Sequence, residues 1–351
     1  MENYTALGLM SGTSLDGLDI AHVHFNRNSN DVWSFKIING ETVPYPNEWK
    51  LKLQEAYIKG ANEVFQLHTD YGHYLGEAVS EFLKKHKIEK LDLISSHGHT
   101  LFHQPAKGYT VQIGDARAIQ KLNPFPVVYD FRSQDVLLGG QGAPLVPIGD
   151  ELLFSSYNAC LNLGGFSNIS FRWENNRIAF DISPVGTVLN HYAQKLRFAY
   201  DAEGKIAKEA GFSQEKLDQL NQLEFYFAQG PKSLGIEFVH DKVYPLLDPL
   251  SPREAIGVFT EHTAFQIAQI LNKYKLDSVL VTGGGAFNSY LLKRIEHHCS
   301  SKLILPEREV IELKEALIFA FMGVLRIRKQ NNVLSSVTGA EKDHCSGLLV
   351  D

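Results

Sequence analysis

Three short runs of alternating apolar and polar residues, then helical patterning, then a buried strand: this order occurs twice in the chain and limits its fold more than any other feature. The first copy opens with YTALGLM (4–10), LDIAHVHF (18–25) and WSFKIING (33–40), which read as antiparallel strands. Helical patterning follows over 47–86, where Leu75, Val79 and Leu83 recur at the spacing of one buried helix face. LDLISSHGH (91–99) then reads as a buried strand ending in a Gly/His loop. The second copy has strands NACLNLGG (158–165), FSNISFRW (166–173) and NRIAFDIS (176–183), and helices near 187–197, 213–227 and 253–274. It closes with the strand DSVLVTGGG (277–285) and helices at 287–299 and 313–329. Identity between the halves is slight; the repeat lies in element order and in a Gly/Ser/Thr/Asn turn after each first strand. Two similar mixed-sheet α/β domains are therefore expected, over 1–136 and 137–333, with LLGGQGAPLVP (137–147) as the crossing and 334–351 returning to the first. A nucleotide in the cleft between them suits the glycine-rich turns.

The chain's 351 residues are too many for one small core. A net charge of −6, with no long Lys/Arg stripe, argues against nucleic acid as a partner, and LKKHKIEK (83–90) reads as a solvated helix end. Cys160, Cys299 and Cys345 form no CxxC pair, which suits free thiols in a reducing compartment. MENYTALGLM lacks a basic n-region and no run of 18 apolar residues occurs, so the reading is cytoplasmic, without a membrane partner.

The first turn gathers Gly8, Gly12 and Gly17 with Ser11, Thr13 and Ser14 and with Asp16 and Asp19. Such a turn suits a phosphate and its metal ion, or else an ordinary β-hairpin. Nine motifs then appear in order: MSGTSLDGLD, SHGHTLFHQP, QIGD, DFRSQDVLLGGQGAPLVP, NLGGFSNIS, PKSLGIEF, TGGGAFN, KEALIFA and SVTGA. This series resembles the anhydro-N-acetylmuramic acid kinase family, within the superfamily of sugar kinases, actin and heat-shock ATPases. The resemblance implies two actin-like ATPase (ribonuclease H-like) domains around an interdomain nucleotide cleft, and a homodimer; two domains joined by LLGGQGAPLVP are expected to close on the substrates and exclude bulk water. It also implies the activity: opening of a 1,6-anhydro sugar by water while its 6-oxygen is phosphorylated from MgATP, in recycling of bacterial cell wall.

The residues can be set against that implication. SGTSLDG lacks the Lys of a Walker A loop, so phosphates would be cradled by amides and by the hydroxyls of Thr13 and Ser14. The implied nucleotide set there is Gly12, Thr13, Ser14, Leu15, Asp16, Gly17, Leu18 and Asp19, with Asp16 holding Mg²⁺ through water. The second turn adds Gly164, Gly165, Ser167 and Asn168, and the third, which receives the adenosine in the family, adds Gly283, Gly284, Gly285 and Asn288. Asp181, at the end of an apolar strand, matches the family's catalytic base; the plain alternative is a turn or N-cap aspartate for the helix beyond Pro184. His97, His99 and Gln141 are placed against the sugar, while His97, His99 and His103 also have a zinc-like spacing. Arg132 suits a bidentate pair with a lactyl carboxylate, or a staple to Asp130 or Asp135.

The chain departs from the family pattern beside Asp181. The usual continuation is Thr-Gly-Pro-Gly-Asn, whereas this chain has Ile182, Ser183, Pro184, Val185 and Gly186, and His99 stands where the pattern has glutamine. The sugar is therefore the open question: levoglucosan kinases share these motifs, and Arg132 favours the muramic sugar with its carboxylate. Two other classes stay in view. One is a catalytically weak nucleotide-binding protein of this fold, and the other a glycoside hydrolase using Asp16 and Asp181.

Overall fold

The computed structural model describes residues 2–12, 15–228 and 231–351. The chain forms two compact units, one of Met1–Phe154 with Leu313–Asp351 and one of Ser155–Glu312. In the first, β1 (Glu2–Ser11), β2 (Gly17–Arg27) and β3 (Trp33–Pro44) form an antiparallel meander. β4 (Leu93–Gln104) runs parallel to β1, β5 (Tyr109–Ile113) folds back on β4, and β6 (Val127–Tyr129) extends the sheet in parallel. The C-terminal strand Leu348–Val350 pairs with β6. Helix Ala61–His86 covers one face through Tyr71, Leu75, Val79 and Phe82, all buried. Leu83, expected on that stripe, is only partly buried because Phe82 takes the inner position.

The second unit repeats the pattern with β7 (Ala159–Leu163), β8 (Phe166–Trp173), β9 (Asn176–Pro184), β10 (Ser278–Thr282) and β11 (Lys302–Ile304). Its order is β11-β10-β7-β8-β9, and the matching strands of the first unit follow β6-β4-β1-β2-β3. The second unit thus puts the end of β7 beside the end of β10, and the first puts the end of β1 beside His99, inside β4. Helix Pro252–Lys273 starts with a capping box between Ser251 and Glu254 and buries Phe259, Ile267 and Leu271 against Phe171, Phe180 and Val279. Among the described residues no helix is long and apolar enough to cross a membrane.

Three expectations need correction. SHGH does not end its strand: His97, Gly98 and His99 lie inside β4, which bends at Gly98 (φ +72°) and runs on to Gln104. LLGGQGAPLVP is no crossing, since the chain leaves the first unit at Phe154–Ser155 and re-enters it at Glu312–Leu313, within the helix Arg308–Ile327. The glycine segment is tied into the first unit by Gly142 N–H to Asp135 (2.7 Å) and Gln141 N–H to the Thr338 carbonyl (2.8 Å), and Leu145 and Ile148 are buried beyond it. Finally, Gly8 is not a turn residue. It lies in β1, where a Cβ would sit 1.9 Å from the Ala316 carbonyl oxygen of the helix packed across the strand.

Candidate functional site

In the first unit, a buried chain of polar groups fixes the end of β1. Tyr71 and Tyr45 hydroxyls meet at 2.5 Å, Tyr45 donates to Ser11 Oγ at 2.7 Å, and Ser11 Oγ lies 2.9 Å from His99 Nδ1. Burial pushes the Tyr45 phenol up to about 12 and the His99 imidazole down to about 4, so both are neutral at physiological pH. The histidine that stands in place of the family's glutamine therefore joins the frame of the first turn.

Beyond Ser11, the Gly12 carbonyl accepts from Leu15 N–H (3.3 Å), and Leu15 adopts φ +57° with its side chain buried. Leu18 is buried in β2, and Gly17 lies so close to β3 that a Cβ would meet the Val43 carbonyl oxygen at 2.5 Å. Leu15, Gly17 and Leu18 thus shape the turn, and only their backbone is left to meet a ligand. Asp19 accepts from Thr42 Oγ1 (2.5 Å), while Asp16 is exposed with no hydrogen bond or ion pair among the described residues. Thr13 and Ser14 lie outside the described residues.

His97 is buried and neutral. Its Nε2 accepts from Arg132 Nε (2.8 Å), which leaves Nδ1–H to donate to the Gly98 carbonyl (2.9 Å). Burial first, and then the Arg132 charge, hold its pKa well below the usual histidine value. Arg132 Nη1 donates to the Gly142 carbonyl (2.6 Å). Burial lowers the guanidinium to about 10, against the pull of Glu315 and Asp135. The staple expected from Asp130 or Asp135 to Arg132 does not form as a direct bond. Asp130 accepts from Ser133 N–H, and Asp135 is taken up by Gly142 N–H and Thr338 Oγ1. Gln141 is exposed beside them.

Glu315, which sequence reasoning missed inside KEALIFA, stands opposite Arg132. Its side chain still reaches solvent, yet the protein crowded around it pushes the carboxyl pKa up, opposed by Arg132 and then Lys314. The three histidines are not brought together as metal ligands: His103 Nδ1 pairs with Thr110 Oγ1 (3.1 Å), and no metal-ligating cluster occurs among the described residues.

In the second unit, strand register lines up Thr282, Asn162, Asn168 and Asp181 across four neighbouring strands, on one face of the sheet. Asn168 is exposed, and the buried Thr282 hydroxyl has no partner among the described residues. Next to this row Gly283 takes φ +81°, where a Cβ would lie 2.6 Å from Asn162 Oδ1; a Cβ at Gly285 would lie 2.7 Å from Leu163 Cβ, and Gly284 is open. Gly165 accepts through its carbonyl from Val185 and Thr187 N–H, and Gly164 from Gly186 N–H, so the second turn is knit to the helix Gly186–Lys195. Ile182 and Val185, both departures from the family pattern, pack into the core of this unit.

Two residues expected at a ligand spend side-chain hydrogen bonds on the protein itself. Ser167 Oγ is fully buried, donating to the Ser183 carbonyl and accepting from Ser183 N–H. Asn288 caps the helix Ser289–His298 through Leu291 N–H (3.0 Å).

Asp181 is no helix cap. Its own N–H donates to the Lys232 carbonyl (2.9 Å), and its Oδ2 accepts from Leu234 N–H (2.8 Å). The other oxygen has no hydrogen bond among the described residues. Burial raises the carboxyl pKa and the Leu234 bond pulls against it, which gives a carboxylate of increased basicity with one oxygen fixed and one free. The strap Lys232–Leu234 is the neighbour of Asp181 that sequence reasoning passed over: PKSLGIEF stood in the motif series without a role.

The family model described as "Anhydro-N-acetylmuramic acid kinase" matches residues 4–350. Curated relatives of that description include one from Bacillus cereus (strain Q1), 33% identical and covering 95% of this chain and 96% of its own. Another, from Pseudomonas savastanoi pv. phaseolicola, is 31% identical and covers 98% of each chain. Among solved structures, a glucokinase of the ROK family from Streptomyces griseus, in complex with glucose and AMPPNP, aligns with 91% of this chain and 98% of its own at TM-score 0.42 and 11% identity.

Proposed function

The chain belongs to the anhydro-N-acetylmuramic acid kinase family, and from that premise we propose that Asp181 is the base of an ATP-dependent kinase of 1,6-anhydro-N-acetylmuramic acid. The enzyme makes N-acetylmuramic acid 6-phosphate in peptidoglycan recycling. Water attacks the anomeric carbon as its proton passes to the free oxygen of Asp181, and the bond from that carbon to the bridging 6-oxygen breaks. The 6-oxygen then takes the γ-phosphoryl group in line, and ADP leaves. Product and substrate differ by one water and one phosphoryl group. The observation that carries the role of Asp181 is its pair of unequal oxygens, one held by Leu234 N–H and one without a hydrogen bond among the described residues, on a carboxyl whose basicity burial has raised.

The other roles follow from the surroundings. Backbone groups of Gly12, Leu15 and Gly17 and of Gly164 to Gly165 are suited to phosphate oxygens, and Gly283 to Gly285 allow a nucleoside to approach the backbone closely. An exposed carboxylate without a partner among the described residues suits a hydrated Mg²⁺, so Asp16 is the residue to hold it; the ion would neutralise charge on the phosphates. Arg132, held by His97 and Gly142 and balanced by Glu315, is suited to the lactyl carboxylate that levoglucosan lacks. A cytoplasmic location and the homodimer that the resemblance implies belong to the same reading. Asp181→Asn, nearly isosteric, tests the base: turnover at or near the wild-type rate would reject the assignment.

A further inference from the structure

Behind the strap that holds Asp181 lies a cavity of about 660 Å³, wholly within the second unit. Alternation along β9 turns Phe180 and Ile182 to the face opposite Asp181, and these two form part of its wall. The size is that of a small-molecule pocket. Its chemistry is mixed in a specific way. Tyr226, Phe227, Phe265 and Tyr274 offer ring surface, Asn221, Gln222, Gln266 and Gln269 offer amides, and Lys232 and Lys273 bring two ammonium groups.

Neither lysine is ion-paired among the described residues. Lys273 Nζ stands over the Tyr274 ring at 5.2 Å. Lys232 Nζ donates to the Phe225 carbonyl (2.8 Å) and lies over the Phe225 ring at 4.2 Å, which leaves two of its three donors unspent. Burial lowers the Lys232 pKa and the positive charge of Lys273 lowers it further, so the two cations repel one another across the space. The carboxylate on the wall, Asp218, accepts from Gln214 Nε2 (2.8 Å) and is exposed. An anion between the lysines would relieve that repulsion, rings would stack on the apolar face of a pyranose, and the amides would bond its hydroxyls.

We propose that this cavity is a second binding site, for an anionic sugar, and that its occupancy is felt at Asp181. The link is Lys232 itself. Its ammonium faces the cavity while its carbonyl accepts from Asp181 N–H, and Leu234, two residues on, holds Asp181 Oδ2. A ligand that draws the ammonium away from the Phe225 carbonyl shifts the strap, and with it the oxygen that the strap fixes. The effect on turnover rests on the activity proposed above; binding does not.

The test titrates the full-length protein calorimetrically, without ATP, against N-acetylmuramic acid 6-phosphate, N-acetylmuramic acid and glucose 6-phosphate. The second and third ligands tell whether carboxylate or phosphate is the anion recognised. Lys273→Glu, far in sequence from every residue of the phosphate turns, is expected to abolish one binding event and leave the kcat measured without added ligand at its wild-type value. Filling the site should lower the wild-type kcat about fivefold, the weak end of typical coupling between sites. In Lys273→Glu the same ligand should leave kcat unchanged. No binding of any of the three, the same number of binding events in Lys273→Glu as in wild type, or binding with wild-type kcat unaltered would each overturn the proposal. A protein that turned over no anhydrosugar would still report the site in the titration, so the two failures are distinguishable.

Discussion

Replacing Arg132 by Met should weaken turnover of the muramic sugar selectively, and the size of the effect can be worked from its bonds. A guanidinium has five N–H donors, and Arg132 spends one on His97 and one on the Gly142 carbonyl. Three remain, enough for a two-bond fork to a carboxylate. Each charged hydrogen bond is worth about 1.5–3 kcal/mol. Loss of a fork at the low end of that range costs about 3 kcal/mol, or roughly 10²-fold in kcat/KM. Met also strands His97 Nε2 and the Gly142 carbonyl, but that cost falls on the protein and burdens every substrate alike. The ratio of kcat/KM for 1,6-anhydro-N-acetylmuramic acid over levoglucosan, from a coupled ADP-release assay, cancels it. That ratio should fall about 10²-fold, with a melting curve showing that the variant is folded. Equal losses on both sugars, or no loss, would refute a carboxylate-binding Arg132.

Asp135→Ala removes a fully buried carboxylate and strands Gly142 N–H and Thr338 Oγ, so urea unfolding should show a loss of about 3–5 kcal/mol. Gly283→Ala forces a side chain into φ +81° and against Asn162 Oδ1; it should cost about 1–3 kcal/mol of stability and raise KM for ATP while sparing the affinity for sugar. Because burial raises the Asp181 pKa, the acid limb of kcat/KM should lie above the ordinary aspartate range. The sign for stability follows from proton counting. The folded chain keeps this proton to a higher pH than the unfolded chain, so stability is lost as pH rises from the usual aspartate value through the raised one. Asp181→Asn lacks that loss and should melt higher than wild type at neutral pH.

Much of this was legible in the chain because the signals are local. Alternation with a period of two marked the six strands of the two meanders, and glycine-rich turns marked the ends of β1, β7 and β10. What escaped reading was set by partners distant in sequence. LLGGQGAPLVP has the composition of a linker, but Asp135 and Thr338, 203 residues apart, bind it into the first unit. Asp181 looked like a lone carboxylate, and its orienting donor is the backbone of Leu234, 53 residues on, which no side-chain motif announces. Ser167 and Asn288 have structural partners that were not legible for the opposite reason. Polar residues beside glycine turns suit ligands and local caps equally, and here the buried main chain claimed them.

The most direct measurement of the central claim is ADP release with MgATP and 1,6-anhydro-N-acetylmuramic acid, with the product mass determined for wild type and Asp181→Asn. The account predicts sugar-dependent release, a product heavier than the sugar by one water and one phosphoryl group, and loss of both in the variant. Release that ignores the sugar, a product carrying phosphate without water, or a fully active Asp181→Asn would contradict it.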